Sequence, residues 1–365
     1  MRSHRTYLDH NATSPLRPAA KSAMLDALDK AGNASSVHAE GRIARTLVDD
    51  AREAIARAVG VMPQMVIFTS GGTEANNLAL KGAARARVLV SAVEHSSVLE
   101  AVRASGKAVE IIPVDRNGIV DLESLERMVA VGPKALVSVM LANNETGVIQ
   151  PLRGVVEIAR RHGALVHSDC VQVFGKIPVN FGVLGVDLMS LSAHKLGGPV
   201  GVGALVAREG LTLEPLIHGG GQELRRRAGT ESVPAIAGFA AAAAENPLDI
   251  SALRDRLESE LEGAVVVGST ADRLPNTTCM AWPGVDAETL LMAFDLDGFA
   301  ISSGSACSSG KVAKSHVLSA MGLSADIVAG AIRVSLGWTT TREDVDRFVA
   351  AANKITARLR APIAA

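Results

Sequence analysis

Between about residues 60 and 210, short apolar runs alternate with longer amphipathic stretches. MVIFTS (65–70), RVLVSAV (87–93), ALVSVML (135–141), ALVHSD (164–169), DLMSLS (187–192) and GALVA (203–207) are rich in Val, Ile and Leu and have strand length. ANNLALKGAARA (75–86) and LRGVVEIARRHG (152–163) between them have helical spacing. Near-continuous apolar strands separated by helices predict a mostly parallel sheet covered on both faces. After a helical ISALRDRLESELEG (250–263) the order changes. Strand-like AVVVG and NTTCMAW, helical ETLLMAFD, strand FAISSG, helical SHVLSAMG, strand AIRVSLG and a last helix from about Arg342 predict a smaller α+β domain. A chain of 365 residues has room for both.

The polar residues at the strand ends carry the chemistry, because ligands of open α/β sheets sit beyond the carboxyl ends of the strands. Successive runs finish in TSGGTE, EHSS, NNETG, HSDC and SAHK. In TSGGTEANN, Gly71, Gly72 and Thr73 open a helix and suit an anion such as phosphate, although a plain glycine turn with a Thr cap has the same pattern. Lys195, beside Ser192, His194 and glycines, is placed for burial to lower its pKa and free its amine for a Schiff base. Asp169 follows an apolar strand and would face a protonated pyridine nitrogen or cap a helix; Gln172 is placed to donate to a ring oxygen. His95 could stack on a planar ring, shuttle protons or be structural. Asn144 could bind a ring oxygen or a carboxylate, or serve its turn. Arg333, in an apolar strand, needs an anion, either a substrate carboxylate or an internal partner. GGGQELRRRAGTES (219–232) has the composition of a solvated or interface loop, from which Thr230 could reach a partner's phosphate.

Composition narrows the partners. A net charge of −1 and 3% aromatic residues disfavour a nucleic-acid surface. The N-terminus lacks an apolar stretch of signal length, and the apolar VPAIAGFAAAAA, broken by Pro234, is too short to span a bilayer. Cys170, Cys279 and Cys307 are too few for a disulfide framework and form no metal-ligand spacing, so a soluble protein of the reducing cytoplasm without a metal is expected. Cys307 stands in SSGSACSSG (302–310), where no large neighbour shields it.

YLDHNAT, GNASSVHAEGR, FTSGGTEANN, EHSSV, NNETGVIQP, HSDCVQVFGK, SLSAHKLGGPVGVG, GGGQELRRRAGTE, SSGSACSSG and IRVSLG occur in the order found in cysteine desulfurases. The chain resembles that family from Tyr7 to about Gly337, and its SGSAC form is similar to the branch serving iron–sulfur clusters and nitrogen fixation.

The resemblance implies the pyridoxal-phosphate fold type I, with a seven-stranded, mostly parallel sheet in a large domain (13–247) and a smaller domain (1–12 and 248–365) bearing the Cys307 loop. It also implies conversion of L-cysteine to L-alanine, with sulfur passing to Cys307 as a persulfide and on to an acceptor or iron–sulfur scaffold protein. By position, Lys195 carries the cofactor, Asp169 meets its pyridine nitrogen, Gln172 and Asn144 neighbour its ring oxygen, and His95 lies on the ring as a proton carrier. Gly72, Thr73, Ser192 and His194 hold the phosphate, with Thr230 from the second subunit of a homodimer. Arg333, Asn144 and Asn11 take the substrate carboxylate. An aminotransferase or selenocysteine lyase would share Lys195, Asp169 and Arg333, and a non-catalytic scaffold is the alternative outside enzymes. Ser14, Ala34, Val200 and Ser232 depart from the usual residues without touching a position assigned a chemical role.

Overall fold

A computed structural model describes residues 5–30, 32–247, 249–303 and 314–360. The predicted apolar runs become the strands of one seven-stranded sheet: β2 (Val66–Thr69), β3 (Arg87–Ser91), β4 (Ala108–Ile112), β5 (Ala135–Ser138), β6 (Leu165–Asp169), β7 (Leu188–Ser192) and β8 (Gly203–Ala207), preceded in the chain by the short β1 (Thr6–Tyr7). Their order is β2-β8-β7-β6-β5-β3-β4. Every strand but β4 is buried along its length, as a sheet covered on both faces requires. β4 lies at the edge and is partly exposed; its sequence, AVEII, places Glu110 against Arg87 of β3.

Only β8 runs against the others, pairing antiparallel with both β2 and β7. Its first residue, Gly203, pairs with Thr69 and with Ser192, so the carboxyl ends of β2 and β7 lie at one edge. Parallel pairing of β7, β6, β5 and β3 brings Asp169, Ser138 and Ser91 to the same edge. Helices α1 (Pro18–Leu28), α2 (Ala39–Val59), α3 (Gly72–Gly82) and α4 (Ser96–Arg103) belong to this half of the molecule, and helix Val233–Ala243 packs against α1 and α2. That pairing gives the Ala-rich segment its place in the fold. No described helix is long and apolar enough to cross a membrane.

The remaining strands are β9 (Val265–Val266), β10 (Thr277–Ala281), β11 (Phe299–Ala300) and β12 (Ile332–Ser335). β12, β10 and β9 form an antiparallel sheet, and β1 pairs in parallel with β11. A separate core surrounds Phe294, stacked on Phe348 at 4.9 Å between ring centroids, and includes Leu8 from the N-terminal segment. Asp9 bridges to Ser335, so the segment after β1 is drawn along β12 toward the large sheet.

Candidate active site

The strand ends, the N-terminal segment and β12 enclose a cavity of about 700 Å³. Asn11, Gly72, Thr73, His95, Asn144, Asp169, Gln172, Ser192, His194, Lys195 and Arg333 all line it. Thr230 does not; it is exposed in the 219–232 segment beside a separate cavity with Thr69 and Arg227. Cys307 lies outside the described residues. Cys170 and Cys279 are buried thiols, the first pushed up by burial and the second to about 12, which leaves both unreactive.

Lys195 ends the short turn after β7, and its Nζ donates to the carbonyls of Asn11 at 2.7 Å and Ala12 at 2.8 Å. Burial, and then the Arg333 charge, lower its pKa to about 8, against an opposing pull from Asp169 and Asp9. His194 is lowered to about 4 by burial and by Lys195, so it is neutral at pH 7.

Asp169, at the end of β6, is buried, and among the described residues no cation pairs with it. Its Oδ2 accepts from Asn76 Nδ2 at 2.7 Å and its Oδ1 from the Val171 amide at 2.9 Å. Asn76 stands on α3, one turn beyond Thr73, and also donates to Ser97 Oγ at 2.9 Å. His95 caps α4, and its Nδ1 accepts from the Ser97 amide at 3.1 Å. Burial lowers its pKa, so the ring is neutral and its proton sits on Nε2. Glu94 beside it is fully buried; burial and the nearby Asp169 push its carboxyl well up.

The entrance to α3 is built for close approach. Gly71 takes φ +150° and ψ −178°, a region closed to other residues, and no side chain caps the helix. A Cβ on Gly72 would stand 2.8 Å from Val171 Cγ2, so the backbone passes directly over that side chain, with Ser192 next to it. The first-turn amides thus face the cavity edge with a positive dipole end, a setting for an anion. Glu74 in the same turn is held by Arg227 at 2.9 Å, which ties the 219–232 segment to the helix.

Of the two partners its burial left open, the structure supplies the internal one to Arg333. Its Nη2 pairs with Asp9 at 2.7 Å, its Nη1 donates to the Asn144 carbonyl at 3.0 Å, and its Nε is buried without a partner. Asn144 Oδ1 and Asn76 Oδ1 are likewise buried and unbonded among the described residues. Buried polar atoms without partners are costly and mark where a ligand's donors and acceptors would go.

Several lining residues were not legible as site residues: Asp9, Asn76, Glu145 and His316. Asn76 alone had a local signal, as the helical neighbour of Thr73. Glu145 accepts from Ser315 Oγ at 2.5 Å and His316 donates from Nε2 to the Glu94 carbonyl at 2.9 Å, contacts between segments far apart in the chain.

Residues 6–348 match the family described as Aminotransferase class-V. Cysteine desulfurase IscS of Dictyoglomus turgidum is 42% identical, the match covering 97% of this chain and 95% of the relative. A cysteine desulfurase of Cereibacter sphaeroides is 43% identical over 98% of this chain and 97% of its own. Among solved structures, the NifS-like protein of Rickettsia africae superposes with a TM-score of 0.90 at 38% identity, covering 97% of this chain and all of that one.

Proposed function

The chain belongs to the aminotransferase class-V family, and on that premise we propose that it is a cysteine desulfurase that binds pyridoxal 5'-phosphate, converts L-cysteine to L-alanine and carries the sulfur away on Cys307. The observation that carries the reading is Lys195, an amine held near neutrality at about 8 in one cavity with a buried carboxylate and a buried guanidinium.

The residues present suit the cofactor. Asp169, buried and with no ion pair among the described residues, would face the protonated pyridine nitrogen, and Asn144 and Gln172 the ring oxygen. Lys195 would carry it and His95 would lie on the ring. The uncapped start of α3 at Gly72 and Thr73, with Ser192 and His194, would hold the phosphate. When bound, pyridoxal phosphate supplies a sink for the electrons left on the substrate Cα.

Arg333, Asn11 and Asn144 bind the substrate carboxylate, and the Asp9 contact keeps the guanidinium in its plane. Lys195 Nζ takes the Cα proton and holds it. Cys307 Sγ gives up its proton and attacks the substrate sulfur; the S–S bond forms as the Cβ–S bond breaks and leaves its electron pair toward Cβ, Cβ gains a proton, and Lys195 Nζ returns its proton to Cα to give alanine. Neutral His95 carries protons on Nε2 within reach of the cavity.

A homodimer completes the proposal, since Thr230 reaches a phosphate only from a second copy. Exposed Leu28, Val37, Val200 and Leu224 are apolar side chains that such an interface would cover. The persulfide would pass to a sulfur-acceptor or iron–sulfur scaffold protein, in a reducing cytoplasm that suits the free thiols. We also propose residues 13–247 and 1–12 with 248–365 as the two domains, supported by the separate core around Phe294. The test is alanine formation from L-cysteine by the loaded protein. Native protein should form it and Lys195→Ala should not; native protein that forms none contradicts the reading.

A further inference from the structure

One buried cation is left unused by this scheme. Lys176 follows Gln172 by one turn, and its Nζ donates to Asn11 Oδ1 at 2.6 Å and to Gln172 Oε1 at 2.8 Å. Among the described residues no carboxylate pairs with it, and its charged neighbours are Lys195 and Arg333, both of its own sign. An ammonium buried against two neutral amides and two cations adds nothing to stability, and burial drives its pKa well down.

The same amide groups lead to Lys195. Gln172 Nε2 donates to the Asn11 carbonyl at 3.0 Å, the oxygen that also receives Lys195 Nζ at 2.7 Å. Asn276 Nδ2 holds Asn11 Oδ1 from another side at 3.1 Å, and Asn11 Nδ2 donates to Thr277 Oγ1 at 2.9 Å. Asn11 and Gln172 line the large cavity and Lys176 does not; with Lys195 it lines a separate, small cavity of about 30 Å³.

We propose that Lys176 is a positioning residue: from outside the large cavity it fixes the side chains of Asn11 and Gln172, and through them the carbonyl that receives Lys195. Both amides have two orientations that swap donor for acceptor. In its charged form Lys176 can only donate, so it draws the oxygens of Asn11 and Gln172 toward itself and turns the NH2 group of Gln172 to the Asn11 carbonyl. The inference rests on the cofactor-dependent reading above.

The test is a double-mutant cycle on full-length protein loaded with pyridoxal phosphate, comparing native protein, Lys176→Met, Asn11→Ala and the pair. The readouts are the rate of cofactor release, followed by absorbance, and the KM for L-cysteine, with melting temperature as control. Lys176→Met should raise both readouts about tenfold, the share of its two lost hydrogen bonds that reaches the site. On Asn11→Ala it should add a smaller factor than on native protein, because the arm to Asn11 Oδ1 is already cut and only the arm through Gln172 is left. Values for Lys176→Met within about twofold of native, or an undiminished effect on Asn11→Ala, would overturn the inference. Lys176→Gln, whose amide can present its own oxygen, replaces the methionine variant in the same cycle, under the same two criteria, should that variant not fold. Failure of the underlying reading is distinct: native protein would then hold no cofactor absorbance and form no alanine.

Discussion

Lys195 gives the most quantitative expectation. An ordinary lysine at 10.5 offers only about 0.03% free amine at pH 7, whereas a pKa of about 8 offers about one-tenth, a gain of roughly 300-fold in the species that captures an aldehyde. Cofactor-free protein mixed with pyridoxal phosphate should therefore gain absorbance at a rate that climbs about tenfold per pH unit below 8 and flattens above it. Arg333→Gln removes the second cause of the shift and should move the midpoint upward; comparison with native protein cancels titration of the cofactor itself. The same shift has a stability consequence. Because the folded pKa lies below the unfolded one, the unfolded chain binds more protons between pH 8 and 10.5, and cofactor-free protein gains stability as pH rises through that window. The gain from this group is about 3 kcal/mol, present in full only above 10.5. A capture rate that keeps rising tenfold per unit to pH 10, or a midpoint indifferent to Arg333, would refute the reasoning.

Three further outcomes follow from particular contacts. Glu223 is buried, takes both terminal nitrogens of Arg52 at 2.7 Å and accepts from the Phe68 amide, so Glu223→Gln should cost about 3–5 kcal/mol in urea unfolding; a cost below about 1 would contradict it. Glu223, Leu224 and Arg225 all have positive φ, and Arg225→Gly at +64° should stabilise by about 1 kcal/mol by thermal melting, relief of left-handed strain less the glycine's extra unfolded-state entropy. An unchanged or lower melting temperature counts against that strain. Cys307→Ala should abolish alanine formation from L-cysteine while cofactor absorbance stays; retained alanine formation would remove Cys307 from the reaction.

The edge of the sheet was legible in the sequence because each strand is a single unbroken apolar run that stops at a polar residue. Lys195, Asp169 and His95 were found that way, and Arg333 as a charge inside an apolar strand of the smaller domain. β4 was not among those runs: as an edge strand it exposes part of AVEII, and burial no longer writes its pattern. Arg333 showed that it needed an anion, but not that Asp9, 324 residues away, supplies one. Lys176 stood in plain view in QVFGK, yet nothing local says that its head is buried against Asn11; that contact exists only because the N-terminal segment is drawn across by β12.

The central claim is that sulfur leaves L-cysteine for Cys307. Purified protein loaded with pyridoxal phosphate, incubated with L-cysteine and digested without reductant, should yield L-alanine together with the peptide bearing Cys307 heavier by one sulfur atom. Alanine without that mass gain would contradict the carrier role, and no alanine at all would contradict the activity itself.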